Sequence, residues 1–146
     1  MKQVIVYKSK TGFTKQYAMW ISEATGIEVK SIKEIKLKSL SQYDRIIYGE
    51  SLLAGHLSSY KKVKKYNANI VCFVVGLSPY EKVNLEQLKK NANVDGIVFY
   101  LMGGVKYEKL NFLFRAMLKK ITGFLENQDF TNKEAIKEIV DYINKK

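Results

Sequence analysis

The apolar run Ile70-Val71-Cys72-Phe73-Val74-Val75 constrains the fold of this chain more than any other segment. A strand with one wet face alternates apolar and polar residues. An unbroken apolar run is expected instead of a parallel strand covered on both faces. The strand it belongs to is predicted over Ile70–Leu77, and other β-branched runs surround it at Gln3–Tyr7, Arg45–Gly49 and Gly96–Met102, with Glu28–Ile32 a weaker one. Between them lie segments with helical spacing. Thr14–Thr25 carries Tyr17, Ala18, Ile21 and Ala24 and stops at Gly26, a residue suited to the left-handed turn that ends a helix. Ser58–Asn67, Lys82–Asn91, Tyr107–Leu125 and Asn132–Ile143 read as further helices, and residues 40–44 as a single turn. Strands alternating with helices predict a doubly wound parallel α/β sheet. Such sheets bind ligands at the carboxyl ends of their strands, where the strand order reverses. The loops to interrogate therefore follow Tyr7, Gly49, Leu77 and Met102.

Composition narrows the function classes. A chain of 146 residues with 47% apolar residues fits one domain with a sizeable core. One Cys cannot form an internal disulfide, and one Cys with one His cannot build a Cys/His zinc site, so no metal is expected. Residues 1–8 do not read as a signal peptide, and no apolar stretch approaches the ~20 residues of a spanning helix. These features predict a reducing, cytoplasmic location. The charge is the unusual bulk number: 25 Lys+Arg against 14 Asp+Glu give +11. Such a field favours anionic partners, although a lysine-rich solvated surface is the bland alternative.

The loop after the first strand reads Ser9-Lys10-Thr11-Gly12-Phe13-Thr14 and opens a helix. Hydroxyls and a glycine at a helix amino terminus make a phosphate site from neutral donors and a dipole. Gly12 lets the backbone bend close, while Ser9, Thr11 and Thr14 offer hydroxyl donors. Neither the P-loop pattern nor the Gly-x-Gly-x-x-Gly dinucleotide pattern is present. A plain helix cap is the simpler reading, with Thr14 as the capping residue, but a cap needs only one hydroxyl.

This segment resembles the FMN-phosphate loop of the flavodoxins, Thr/Ser-x-Thr-Gly-x-Thr. The resemblance covers essentially the whole chain. It is nearest to the flavodoxin-domain branch that includes the menaquinone-dependent protoporphyrinogen oxidases. It continues through Tyr43-Asp44-Arg45-Ile46-Ile47-Tyr48-Gly49-Glu50-Ser51 followed by Gly55-His56, then Tyr100-Leu101-Met102-Gly103-Gly104 with Tyr107 and Phe112–Lys120. It implies a three-layer αβα sandwich with a five-stranded parallel sheet in the order 2-1-3-4-5. It also implies a single domain over residues 1–146, an amphipathic insertion at 104–125, and FMN as cofactor. In that frame Ser9, Lys10, Thr11, Gly12, Phe13 and Thr14 hold the phosphate, while Ser51, Leu52, Leu53, Ala54, Gly55, Gly76, Leu77 and Ser78 border the ring. The second loop lacks the aromatic that typical flavodoxins stack on the flavin, which leaves an open face for a substrate. Gly55 is the candidate flexible peptide, since only glycine reaches positive φ cheaply. His56, the sole histidine, follows it as in the oxidase branch. An imidazole suits proton handling beside a reduced flavin, and a surface histidine without a role is the other reading. Tyr80 is placed either to stack or to cap the next helix, and Cys72 reads as a buried structural thiol.

Within the insertion, Leu110, Leu113, Phe114, Met117, Leu118, Ile121 and Phe124 form an apolar stripe, flanked by Lys106, Lys109, Arg115, Lys119 and Lys120. Packing of this stripe into the core is the favoured expectation. Peripheral contact with the inner face of a membrane through residues 106–125 is the alternative. Lys61, Lys62, Lys64 and Lys65 form a second basic cluster, but no nucleic-acid module accompanies it. The expected function is an FMN-binding redox protein, as an oxidoreductase related to protoporphyrinogen oxidase whose partners are a quinone or porphyrinogen-type small molecule. A flavodoxin-type shuttle serving a redox partner protein and a cofactor-free binding domain are the alternatives.

Overall fold

Alternate residues along the strands feed two separate cores, and this divides the molecule into layers. The computed structural model describes residues 1–123 and 126–145, without the side chain of residue 121. Strands β1 (Gln3–Lys8), β2 (Val29–Ser31), β3 (Arg45–Ser51), β4 (Ile70–Gly76) and β5 (Ile97–Met102) form one parallel sheet in the order β2-β1-β3-β4-β5. This is the expected order. The whole Ile70–Val75 run is buried, as a doubly covered central strand requires.

On one face Ile5, Ile47, Val71, Phe73 and Val75 pack against Tyr17, Ala18 and Ile21 of α1 (Phe13–Thr25) and Ile139 and Ile143 of α5 (Lys137–Asn144). On the other, Val4, Val6, Ile46, Tyr48, Cys72 and Val74 pack against Leu40, against Tyr60 and Val63 of α2 (Tyr60–Tyr66), and against Ala92 of α3 (Leu85–Ala92). Fully burying side chains of this size contributes about 1.5–3 kcal/mol each, so the strand alternation on both faces is the main anchor of the layers. Cys72 is buried and its burial pushes the thiol far above its ordinary pKa, in line with a structural role. Gly49 has no freedom to be anything else: a Cβ there would lie 2.0 Å from the Phe73 ring. Arg45 seals the far end of the sheet by donating to the Gln3 side chain (2.6 Å) and to the Ile143 carbonyl (2.7 Å) near the end of α5.

Several boundaries differ from the sequence expectation for local reasons. Helix α3 starts at Leu85 because Asn84 caps it, its side chain accepting from the Gln87 N–H at 3.1 Å; residues 80–82 form a separate 3-10 turn. The final helical stretch begins as a 3-10 turn over Lys133–Ile136 before α5. The expected single helix Tyr107–Leu125 is divided. It contains a 3-10 turn at Tyr107–Lys109 and then α4 (Phe112–Thr122), capped by Asn111 and closed by left-handed Gly123. Of its predicted extent, Phe124 and Leu125 lie outside the described residues. Two short strands bracket the insertion: β6 (Gly104–Val105) pairs antiparallel with β7 (Gln128–Asp129). So short a ladder carries no period in the sequence.

Full core packing of the insertion stripe is not found among the described residues: Leu113 is 75% exposed and Met117 42%, while Leu110, Phe114 and Leu118 are half-buried; Phe112, outside the stripe, is 83% exposed. An apolar period reports that a face exists and not that anything covers it.

Candidate functional site

All the loops singled out emerge at the carboxyl edge of the sheet, and cross-links tie them to one another. After β1 the chain turns through Gly12, at φ +100°, where the position of a Cβ is sterically open but the backbone conformation is strained for any other residue. Gly12 is also the residue at the amino terminus of α1, and no side chain caps that end. The amides of the first turn of a 13-residue helix therefore point outward with no acidic residue in that turn to meet them. Ser9 stabilises the turn itself, its Oγ accepting from the Gly12 N–H at 3.0 Å. Lys10 is exposed beside it. Phe13 points its ring toward the strand-end glycines, within 2.8 Å of where a Cβ on Gly104 would stand.

Thr14 is not the helix cap. It lies inside the first turn, fully buried, and its hydroxyl shares a 2.6 Å hydrogen bond with the Ser51 hydroxyl at the end of β3. The loops after β1 and β3 are thereby joined directly. Thr11 lies elsewhere. It lines an open cleft of about 290 Å³ with Gly12, Phe13, Gln16, Trp20, Lys106, Asp129 and Thr131. The hydroxyls expected to converge are thus divided between a turn-forming role (Ser9), an inter-loop bond (Thr14) and the cleft lining (Thr11).

The second loop leaves β3 through Leu52, whose N–H donates to the Val75 carbonyl at 2.8 Å. It then makes a tight hairpin turn in which Leu53 and His56 exchange backbone hydrogen bonds of 2.9 and 3.0 Å. Both central residues are left-handed, Ala54 at φ 52° and Gly55 at φ 80°. Gly55 meets its expectation of positive φ. Ala54 adopts the same region with a Cβ, which marks the turn as locally strained. Leu53 is 47% exposed and His56 is exposed, with no side-chain hydrogen bond to the imidazole among the described residues. The structure places His56 at the rim of the loop cluster and not within it.

The third loop, Gly76, Leu77 and Ser78, is held by tyrosines. The Tyr100 hydroxyl donates to the Ser78 carbonyl at 2.8 Å, and the Gly103 N–H donates to the Gly76 carbonyl at 2.8 Å. Burial pushes the Tyr100 phenol up to about 12, with the Ser78 bond opposing and nearby Tyr80 adding. Tyr80 does not cap α3: its hydroxyl accepts from the Met102 N–H at 3.0 Å, and its exposed ring meets Tyr100 edge-on. Tyr17 continues the chain of contacts, donating to the Met102 carbonyl and accepting from the Asn132 N–H.

The residue that sequence reasoning passed over is Glu50. It is 4% exposed, yet both carboxylate oxygens are satisfied. Oε1 accepts from the Tyr48 hydroxyl (2.5 Å) and the Ser59 N–H (3.0 Å), and Oε2 from the Ser58 N–H (2.6 Å) and Ser58 hydroxyl (2.7 Å). Lys8 donates to the hydroxyls of Ser58 (2.6 Å) and Ser59 (3.1 Å) from the neighbouring strand. The carboxylate thus closes the base of residues 51–57 and meets the amide-rich start of α2. Burial, followed by the Glu50 charge, drives the Tyr48 phenol far above its ordinary pKa. The signal available in the sequence was an acidic residue ending an otherwise apolar strand, which must find donors if buried.

A left-handed glycine turn runs into an uncapped helix at the reversal point of a 2-1-3-4-5 sheet, which makes this an open, doubly wound α/β protein. The chain belongs to the flavodoxin-domain family, whose profile matches residues 4–132. Among solved structures, a flavodoxin from the domain Archaea is similar with a TM-score of 0.50 at 18% identity, covering 70% of this chain and 83% of that one. Flavodoxin 2 of Bacillus cereus is similar with a TM-score of 0.50 at 19% identity, covering 70% and 84%. At such identities the likeness is one of fold. No curated protein matches the chain.

Proposed function

We propose that the chain is an FMN-binding redox protein, and that it works as an oxidoreductase on a small organic partner. The observation that carries this reading is the uncapped start of α1 behind left-handed Gly12, linked through the Thr14–Ser51 bond to the second loop. The donor set fits the group. Outward amides, the hydroxyl of Ser9 and the ammonium of Lys10 suit a phosphate, and Glu50, the only buried acid among the described residues, is fully engaged by its own donors. FMN, when bound, supplies the electron chemistry. The protein's part is to bind and orient. The first loop through Ser9–Thr14 holds the phosphate, and Ser51–Gly55 with Gly76–Ser78 border the ring. The Glu50 bonds keep the second loop at one height above the sheet.

An oxidoreductase is favoured over an electron shuttle by two features. The net charge is +11, and the second loop presents Leu52, Leu53 and Ala54 in place of an aromatic. Both leave an accessible, electropositive face, suited to a quinone or porphyrinogen-type molecule. His56 at the rim is the group placed to handle a proton there. A redox partner protein is the shuttle alternative, and a cofactor-free binding domain is the alternative outside redox chemistry.

The test is FMN titration of the purified protein, read by absorbance and flavin fluorescence, against Thr11→Ala with Thr14→Ala. Losing the Thr14–Ser51 bond that ties the first two loops together, along with the Thr11 hydroxyl beside Gly12, weakens affinity by about a hundredfold. Because Thr14 is buried, Thr14→Ser, which keeps the hydroxyl, should retain binding. Absence of FMN binding by the unaltered protein refutes the redox reading. With binding in hand, oxidation of a porphyrinogen with a quinone as acceptor separates the oxidoreductase from the shuttle.

A further inference from the structure

We propose that Lys106, brought in by the insertion after β5, helps to hold the phosphate at the first loop, so that a segment outside the three loops completes the site. The inference rests on the FMN reading above and names a residue which that reading does not use. It starts from a charge imbalance. A phosphate monoester carries about −1.5 to −2 at neutral pH, whereas a helix amino terminus offers the equivalent of about +0.5. Hydroxyls and amides donate hydrogen bonds but bring no net charge. Holding such an anion at the Gly12 turn therefore calls for cations. Lys10 is one, but it is exposed, and immobilising it costs side-chain entropy.

The fold supplies a second cation from a fixed position. Lys106 lines the cleft of about 290 Å³ together with Thr11, Gly12 and Phe13, and it is the only cation among the lining residues. The stem of the insertion holds it there. Gly103 donates its N–H to the Gly76 carbonyl (2.8 Å), and its own carbonyl accepts from the Phe130 N–H (2.9 Å). Gly104 and Val105 pair with Asp129 and Gln128, and Val105 is buried. A Cβ on Gly104 would stand 2.8 Å from the Phe13 ring, so the stem lies directly against the first residue of α1. Lys106 comes next, its carbonyl accepting from the Lys109 N–H at 2.9 Å as the 3-10 turn begins. It is half-buried. A lysine on a pinned backbone beside the turn has less freedom to lose than Lys10.

The Lys106 ammonium is not already spent on the protein. Among the described residues it makes no ion pair, although Asp129 lines the same cleft. Asp129 turns its Oδ1 to Thr131 instead, accepting from the N–H at 2.9 Å and from the hydroxyl at 2.6 Å. No acidic residue stands in the first turn of α1 to compete. Lys106 is thus left to meet an incoming anion, with Asp129 opposing that anion by charge alone. A compact ammonium suits this task, since it acts as a point charge and needs no matching fork of acceptors.

FMN titration of the full chain tests this, read by flavin fluorescence at low and high salt, with the ligand-free thermal midpoint as the folding control. Lys106→Gln should weaken FMN binding by about fivefold at low salt. The gap to the parent should close toward about 1 M salt, where the screening length is about 3 Å. Lys106→Arg keeps the charge and should bind as the parent does. Asp129→Asn keeps the acceptor for Thr131 and removes the opposing charge, so affinity should rise by roughly twofold. Lys119→Gln removes the same charge from an exposed position on α4 outside the cleft and should change little. Three results overturn the inference while the FMN reading stands. One is Lys106→Gln binding FMN as tightly as the parent. Another is a loss that high salt leaves unchanged, which is a packing effect. The third is an equal loss in Lys119→Gln, which is the general field of a +11 chain. Failure of the unaltered protein to bind FMN overturns both readings together.

Discussion

Replacing Glu50 by Gln tests whether a buried carboxylate holds the second loop. The substitution keeps the shape and removes the charge and one acceptor. Of the four donors facing the carboxylate, the hydroxyls of Tyr48 and Ser58 can turn to accept from a new amide, but the N–H groups of Ser58 and Ser59 cannot. Whichever way the glutamine lies, one of these backbone donors faces an NH2 group. An orphaned buried donor costs about 1–3 kcal/mol, and each remaining bond that loses its charge assistance about 1 kcal/mol more. Relief from burying a charge offsets part of this. The net loss is about 2–3 kcal/mol. Urea unfolding followed by circular dichroism should show a midpoint lower by about 1 M with an unchanged slope, and a thermal midpoint lower by roughly 4–10 °C. Tyr48→Phe combined with Glu50→Gln should be less costly than the sum of the two, because they share a bond. A Glu50→Gln midpoint within about 0.2 M of the parent would refute the reasoning, since a carboxylate that can be neutralised freely is not what closes the loop.

Two further outcomes follow from local geometry and from burial. Ala54→Gly removes a Cβ from a left-handed residue at φ 52° and should raise stability by about 1 kcal/mol, read as a higher urea midpoint; a loss would show that the turn is unstrained. The phenols of Tyr17, Tyr48, Tyr60 and Tyr100 are all pushed up, chiefly by burial. Below the ordinary phenol pKa both folded and unfolded chains keep these protons, so pH has no effect through them. Above about pH 10 the unfolded chain ionises first, and stability falls with rising pH by roughly 1.4 kcal/mol per unit for each phenol still protonated in the fold. Tyr100 stops contributing to that slope above about 12, its folded-state value. Urea midpoints measured up the alkaline range, with tyrosinate absorbance alongside, check this; a flat profile contradicts it.

Much of this protein was legible in its residues because the relevant physics is local. The apolar run at Ile70–Val75 read as a doubly covered strand and is one, and the alternation around it defined the layers. Gly26 ended α1 in the left-handed conformation that its place after a helical period required. The turn at Ser9–Thr14 was legible as a glycine bend opening a helix, and Gly12 takes the left-handed conformation there, at φ +100°.

Tertiary structure decided the rest, for the reason that period and motif describe a segment's own faces and never its partners. Thr14 was readable as a hydroxyl at a helix start, but only the fold could hand it to Ser51, 37 residues away. Glu50 was readable as an acid at a strand end, but its donors come from Ser58, Ser59 and Tyr48 across a folded loop. The same amphipathic period that buries Ile21 in α1 leaves Leu113 and Met117 in the open on α4. The sequence by itself determined where the five sheet strands and most helices form and which of their faces are apolar. What each face meets depends on how distant segments close around the sheet, and that is an energy of contact no single segment carries.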